Sequence, residues 1–147
     1  MRLITIKILF FVTLLVSCNR IETNTTLNKK TIEQIEKLGL LEKNETIIKY
    51  YSNYRESKAG NFYTDKRIAH YWIDENNTEE NDTSFAFYNE IKSIDTVYNV
   101  PDTYSPYMKI TKNDGTEFRV FIEGKHAEKK QFFEGAIRMW KKKKNAN

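Results

Sequence analysis

Cysteine and histidine are almost missing from this chain of 147 residues, which holds one of the former and two of the latter. A single cysteine excludes an internal disulfide framework, so any folded domain must be held by its core. The two histidines, His70 and His126, stand far apart, and no His/Cys group has the spacing of a metal site. Glycine is also sparse, at five residues, with none arranged as a phosphate-cradling loop and none flanking a serine as in a nucleophile elbow. Long apolar runs are missing as well. The richest, residues 8–16, falls far short of the ~20 residues that a bilayer-spanning helix needs.

What that short run does have is context. Arg2 and Lys7 precede it as a basic leader, and Leu15-Val16-Ser17-Cys18 follows. This arrangement resembles the lipobox of bacterial lipoproteins, in which the thiol accepts a diacylglyceryl group and the small residue before it admits a peptidase. The resemblance implies a signal peptide over 1–17, lipidation of Cys18 and a mature protein held at an envelope membrane, inner or outer. Each buried methylene of an acyl chain contributes ~0.8 kcal/mol, so two or three chains anchor firmly. No partner cysteine or basic activating group accompanies Cys18, which argues against a redox or catalytic thiol.

The whole chain carries a formal charge of +4, with 24 basic and 20 acidic residues. Removing the leader takes away two of the bases and no acid, leaving a nearly neutral protein whose residual excess sits in Lys141-Lys142-Lys143-Lys144. Nucleic-acid binding calls for a basic face interleaved with exposed aromatics, and that pattern is not present. The aromatics, 9 Phe, 9 Tyr and 2 Trp, fall at core spacings and supply enough area for one compact domain.

Residues 18–28 are polar and read as a tether. Thr31 with Gln34 three residues on reads as a capping box, and Ile32, Ile35 and Leu38 then share a helical face before Gly39. From Glu45 onward the pattern becomes strand-like, with runs at 46–52, 60–63, 67–73, 84–88, 94–98, 107–112 and 116–123. Around Asn113-Asp114-Gly115, a two-residue loop would set Ile110 against Arg119. A three-residue loop with a left-handed Gly115 sets Ile110 against Phe118 and Met108 against Val120, so the longer loop is predicted. A closing helix is predicted over 126–142, where Phe133, Ala136, Ile137 and Trp140 follow the helical period.

Three segments carry a further resemblance. Glu45-Thr46-Ile47-Ile48-Lys49-Tyr50-Tyr51-Ser52 resembles the first strand of a bacterial pleckstrin homology (PH)-like domain, and Gly60-Asn61-Phe62-Tyr63-Thr64-Asp65-Lys66-Arg67-Ile68 resembles the turn of its second hairpin. Tyr88-Asn89-Glu90-Ile91-Lys92-Ser93-Ile94 resembles the entry to its fifth strand. The resemblance implies one mainly β domain over 29–147: bent antiparallel sheets or an open barrel of about seven strands, preceded by a short helix. The C-terminal helix would plug one end through Trp140 and Phe133.

The same resemblance implies a binding or scaffold domain, and the lack of a catalytic, metal or phosphate-loop motif in the residues leads to the expectation of no enzyme activity and no cofactor. In some lineages such domains bind phosphoinositides through bases near the first strand pair, where Arg55, Lys58, Lys66 and Arg67 fall, so these four are candidate anion or headgroup contacts. Glu56 and Asp65 are interleaved with them, and a bacterial envelope is not expected to display phosphoinositides. A protein partner, met at a sheet edge or barrel end, is the expectation that follows. An immunity-type lipoprotein that neutralises a toxin, with the acidic stretch 74–82 as contact loop, is one alternative; a small hydrolase with an unrecognised site is another. His70 shares a strand face with Ile68 and Trp72 and reads as a packed histidine. The acidic stretch holds oxygen ligands suited to calcium but lacks the EF-hand order and glycine, and reads as a solvated loop.

Overall fold

The computed structural model describes residues 21–101 and 104–146. Nine elements carry the fold: α1 (Lys29–Lys37), β1 (Ile47–Tyr51), β2 (Ala59–Thr64), β3 (Arg67–Trp72), β4 (Asp82–Phe87), β5 (Ile91–Val97), β6 (Tyr107–Lys112), β7 (Glu117–Phe121) and α2 (His126–Lys144). All strand neighbours run antiparallel, in a four-stranded sheet ordered β1-β2-β3-β4 and a three-stranded sheet ordered β5-β6-β7.

The turn between β6 and β7 follows the three-residue reading. Ile110 pairs with Phe118 and Met108 with Val120, Lys112 N–H donates to Thr116 O at 2.9 Å, and Gly115 sits at φ +87°. That conformation carries a steric cost for a side chain, which is why glycine stands there.

α1 is capped differently from the sequence reading. Asn28, with extended backbone, accepts from Lys30 N–H at 2.9 Å. Thr31 and Gln34 serve tertiary contacts instead: the Thr31 hydroxyl donates to Glu56 and the Gln34 amide to Ser57 O at 2.9 Å. A capping box satisfies the helix's own first N–H groups, whereas these two side chains tie α1 to the β1–β2 connection.

The described part of the stretch read as a tether also packs. Glu22 and Tyr50 exchange two backbone hydrogen bonds of 2.8 Å, Asn24 N–H donates to Ile47 O, and Leu27 is buried. The open edge of β1 is thereby covered, which protects it from pairing with another chain.

Two apolar clusters result. One lies on the α1 side of the four-stranded sheet and contains Ile35, Leu40, Ile47, Tyr50 and Phe62. The other joins both sheets to α2 and contains Ile68, Met108, Val120, Phe132 and Phe133. Phe132 meets Tyr63 edge to face at 5.2 Å, and Phe133 meets Tyr98 at 5.3 Å. The plug is therefore Phe132 with Phe133. Trp140, expected in that role with Phe133, is half-buried and packs on the cluster's margin, whereas the fully buried positions of α2 are Phe132, Phe133, Gly135 and Ala136. Its Nε1 has no hydrogen-bond partner among the described residues.

Candidate binding cleft

The four basic residues singled out in the sequence do not form one site. Arg55 and Lys58 lie in the β1–β2 connection, while Lys66 and Arg67 lie at the β2–β3 turn. β2 separates the two pairs, and six residues of strand span ~20 Å. Arg67 is buried, with Nε donating to Glu45 Oε1 at 2.9 Å and Nη2 to Glu45 Oε2 at 2.8 Å. Glu42 Oε1 adds a contact at 3.0 Å, and the guanidinium lies 4.3 Å from the Phe87 ring centroid and 4.9 Å from that of Phe85. Its charge and its planar face are both engaged within the fold. Lys66 pairs with Glu42 at 2.8 Å, and that hydrogen bond lowers the Glu42 pKa and raises that of Lys66. Lys58 pairs with Glu75 at 2.7 Å, and the Arg55 guanidinium lies 5.7 Å from the centre of the Tyr54 ring.

A different site emerges at the far end of β3. Three large hydrophobics are conspicuously exposed among the described residues: Tyr54 at 60 %, Trp72 at 43 % and Tyr104 at 69 %. The rings of Tyr54 and Trp72 lie 6.2 Å apart, and Trp72 and Tyr104 line the same cleft of about 440 Å³. Asn61, His70, Asp82, Ser105 and Phe121 contribute to its walls. The antiparallel pairing of β3 with β4 creates this constellation, since Trp72 lies opposite Asp82 and His70 opposite Ser84. Residues of β2, β3, β4 and β7 and of the β1–β2 and β5–β6 connections thus converge on one opening.

His70 keeps the strand face read from the sequence and is packed, 7 % exposed, with its ring stacked on Phe118 at 5.8 Å. It is not fully satisfied. Nε2 lies 3.3 Å from Asp82 Oδ2, yet it has no hydrogen-bond partner among the described residues. Burial pushes the His70 pKa below its ordinary value, against an opposing pull from the Asp82 carboxylate. The desolvation cause is the larger, so the imidazole is neutral at pH 7 and leaves Asp82 uncompensated. The Ser105 hydroxyl donates to Glu123.

The acidic connection from 73 to 81 joins Trp72 to Asp82, both of which line the cleft, and is internally tied. Asp74 Oδ1 accepts from Asn76 N–H at 2.8 Å and Asn77 N–H at 3.2 Å, and Asn81 Oδ1 accepts from Asp74 N–H at 2.7 Å. Among the described residues no three His, Cys, Asp or Glu side chains gather as a metal-holding group. No helix among them is long and apolar enough to cross a membrane. Cys18, the residue read as the lipidation site, lies outside the described residues.

No family model and no curated protein matches the chain. Among solved structures it is similar to the crystal structure of a DUF1696 family protein with a pleckstrin-homology domain from Shewanella loihica PV-4. The two share 12 % identity and a TM-score of 0.52, over 86 % of this chain and 98 % of that one. At this identity the likeness is one of fold, and with four strands, then three, then a closing helix, it establishes the PH-like architecture that the sequence segments resemble.

Proposed function

We propose that this chain is a lipid-anchored binding domain of the bacterial envelope, non-enzymatic, which holds a protein partner at the cleft lined by Trp72 and Tyr104, beside Tyr54. The observation that carries the reading is that two exposed aromatics, Trp72 and Tyr104, line one opening, with a third, Tyr54, packed against Trp72. Tyr and Trp provide large contact areas with few torsions to immobilise, and they dominate binding energy where they anchor an interface. A buried core elsewhere leaves these rings with no structural duty that needs exposure.

The anchor part of the proposal rests on the leader and Cys18. Glu22, where the chain joins the edge of β1, lies four residue steps beyond Cys18, and an extended chain covers ~3.5 Å per residue. An acylated Cys18 would keep the domain within ~15 Å of the bilayer surface. A partner reached from there is itself at or near the membrane.

The test uses the full chain in a bacterial host. Wild type should take up labelled palmitate and sediment with membranes, and Cys18→Ala should do neither. Cross-linking from membranes should then capture a stoichiometric protein partner, and Tyr54→Ala/Trp72→Ala/Tyr104→Ala should lose it while keeping its fold. Capture that survives the triple substitution, or membrane retention with palmitate uptake in Cys18→Ala, overturns the corresponding half of the reading.

A further inference from the structure

We propose that the cleft receives a cationic side chain of the protein partner, a lysine ammonium or an arginine guanidinium, against Trp72, Asp82 and His70; this inference rests on the reading of the cleft as a partner site.

Three independent features of the site ask for the same chemistry. The first is the aromatic rim. Trp72 and Tyr104 present exposed rings to the opening, and the negative face of an aromatic ring attracts a cation placed over it. The second is charge. Asp82 lines the cleft, is 58 % exposed at its side chain, and forms no ion pair with a lysine or arginine among the described residues. The adjoining connection adds Asp74, Glu79 and Glu80, which have no basic partner among the described residues, while Glu75 is matched by Lys58. The third is the orphaned nitrogen. His70 is more than nine-tenths buried, it lines the cleft, and its Nε2 lacks a hydrogen-bond partner. A buried polar atom without a partner costs free energy, so such an atom beside an opening marks a place where a ligand atom completes the bonding.

Cationic side chains answer all three demands together. An ammonium has three N–H donors and a guanidinium five, so either can donate to Asp82 Oδ2 and to a neutral Nε2 that lies 3.3 Å from it. The remaining positive charge then lies against the aromatic rim. An anionic group meets the opposite situation: the carboxylates repel it, and the bases singled out from the sequence are paired or stacked. A phosphate-bearing lipid headgroup is therefore the wrong occupant even though the chain is proposed to be membrane-anchored.

The probes are N-acetyl-lysine amide and N-acetyl-arginine amide, titrated into the full-length detergent-solubilised protein, with N-acetyl-glutamine amide and N-acetyl-glutamate amide alongside. The readout is the indole N–H resonance of Trp72, assigned by comparison with Trp72→Phe and resolved from that of Trp140. At least one cationic probe should move the Trp72 resonance saturably and the other two should not. Asp82→Asn, an exposed substitution, should weaken that binding at least fivefold with unchanged circular dichroism. Absence of a saturable shift with both cations, an equal shift with the glutamate probe, or unchanged affinity in Asp82→Asn overturns the inference. So does a Trp72 shift produced by phosphatidylethanolamine vesicles and by neither cation. Partner capture separates this failure from that of the parent reading: capture lost in the triple aromatic variant yet unaffected by Asp82→Asn leaves the partner site standing and removes its cation.

Discussion

His70 and Phe118 stack with ring centroids 5.8 Å apart and planes 11° from parallel, joining β3 of one sheet to β7 of the other. The contact places an ionisable ring in an apolar slot, and burial lowers its pKa. A depressed histidine pKa means that the folded protein prefers the neutral ring. Between the folded value and the ordinary value of about 6.5, the unfolded chain binds a proton that the folded chain does not. This contribution to stability is therefore complete above about pH 6.5 and declines as pH falls through that region. The urea midpoint should drop between about pH 7.5 and pH 5.5, and His70→Phe should reduce the drop. An unchanged pH dependence in His70→Phe would show that another group drives it.

Arg67 makes a second, separate prediction. Its guanidinium meets the Glu45 and Glu42 carboxylates through Nε and Nη2 and the Gly39 carbonyl through Nη1, and the Glu45 side chain is fully buried beside it. Removing one partner of a buried pair leaves the other charge without compensation and costs ~3–5 kcal/mol. Arg67→Met and Glu45→Met should each lower stability by about that amount in urea titrations, and the double variant should lose less than the two added together. Strict additivity would mean that the pair is not coupled.

The two sites differ in how far they can be read from the chain. The β6–β7 turn is local: alternation on each side of Asn113-Asp114-Gly115 sets the register, and Ile110 duly meets Phe118. The face of His70 is local too, since every second residue of β3 points the same way. The cleft is not. It needs Asn53 from a connection, Trp72 from a strand end, Asp82 from the next strand and Tyr104 from a later loop. Nothing in the period of a strand says that Trp72, sharing the parity of buried Ile68, emerges into solvent at the sheet's end. The basic residues show the converse. Arg67 looks like a free surface base in a turn, and only the fold brings Glu42 and Glu45 against it. Helix capping fails for a similar reason, because Thr31 and Gln34 are claimed by the β1–β2 connection.

Gly60 gives a packing test on the other side of the sheet. A Cβ built there would collide with the Tyr71 ring and lie 2.8 Å from Tyr50 Cε2. Both rings are held, because their hydroxyls hydrogen-bond to each other at 2.8 Å and Tyr50 also donates to Ala59 O at 3.1 Å. The rings cannot simply swing aside. Gly60→Ala should therefore cost ~1–3 kcal/mol, the range for overpacking a filled core. Thermal unfolding would check it, and a neutral effect would mean that the tyrosine pair is free to move.

The closing helix orders its own substitutions. Phe132 is fully buried and touches both Tyr63 and Phe133, so truncating it leaves a cavity between α2 and the sheets. Phe132→Ala should cost ~3–5 kcal/mol. Trp140 is larger, yet it is half-buried, carries the Lys144 ammonium at 5.1 Å over its ring and leaves Nε1 without a partner. Losing an unsatisfied donor offsets part of the lost apolar contact. Trp140→Ala should thus destabilise less than Phe132→Ala in parallel urea titrations. A reversed order would mean that the last turns of α2, and not its middle, seal the two sheets.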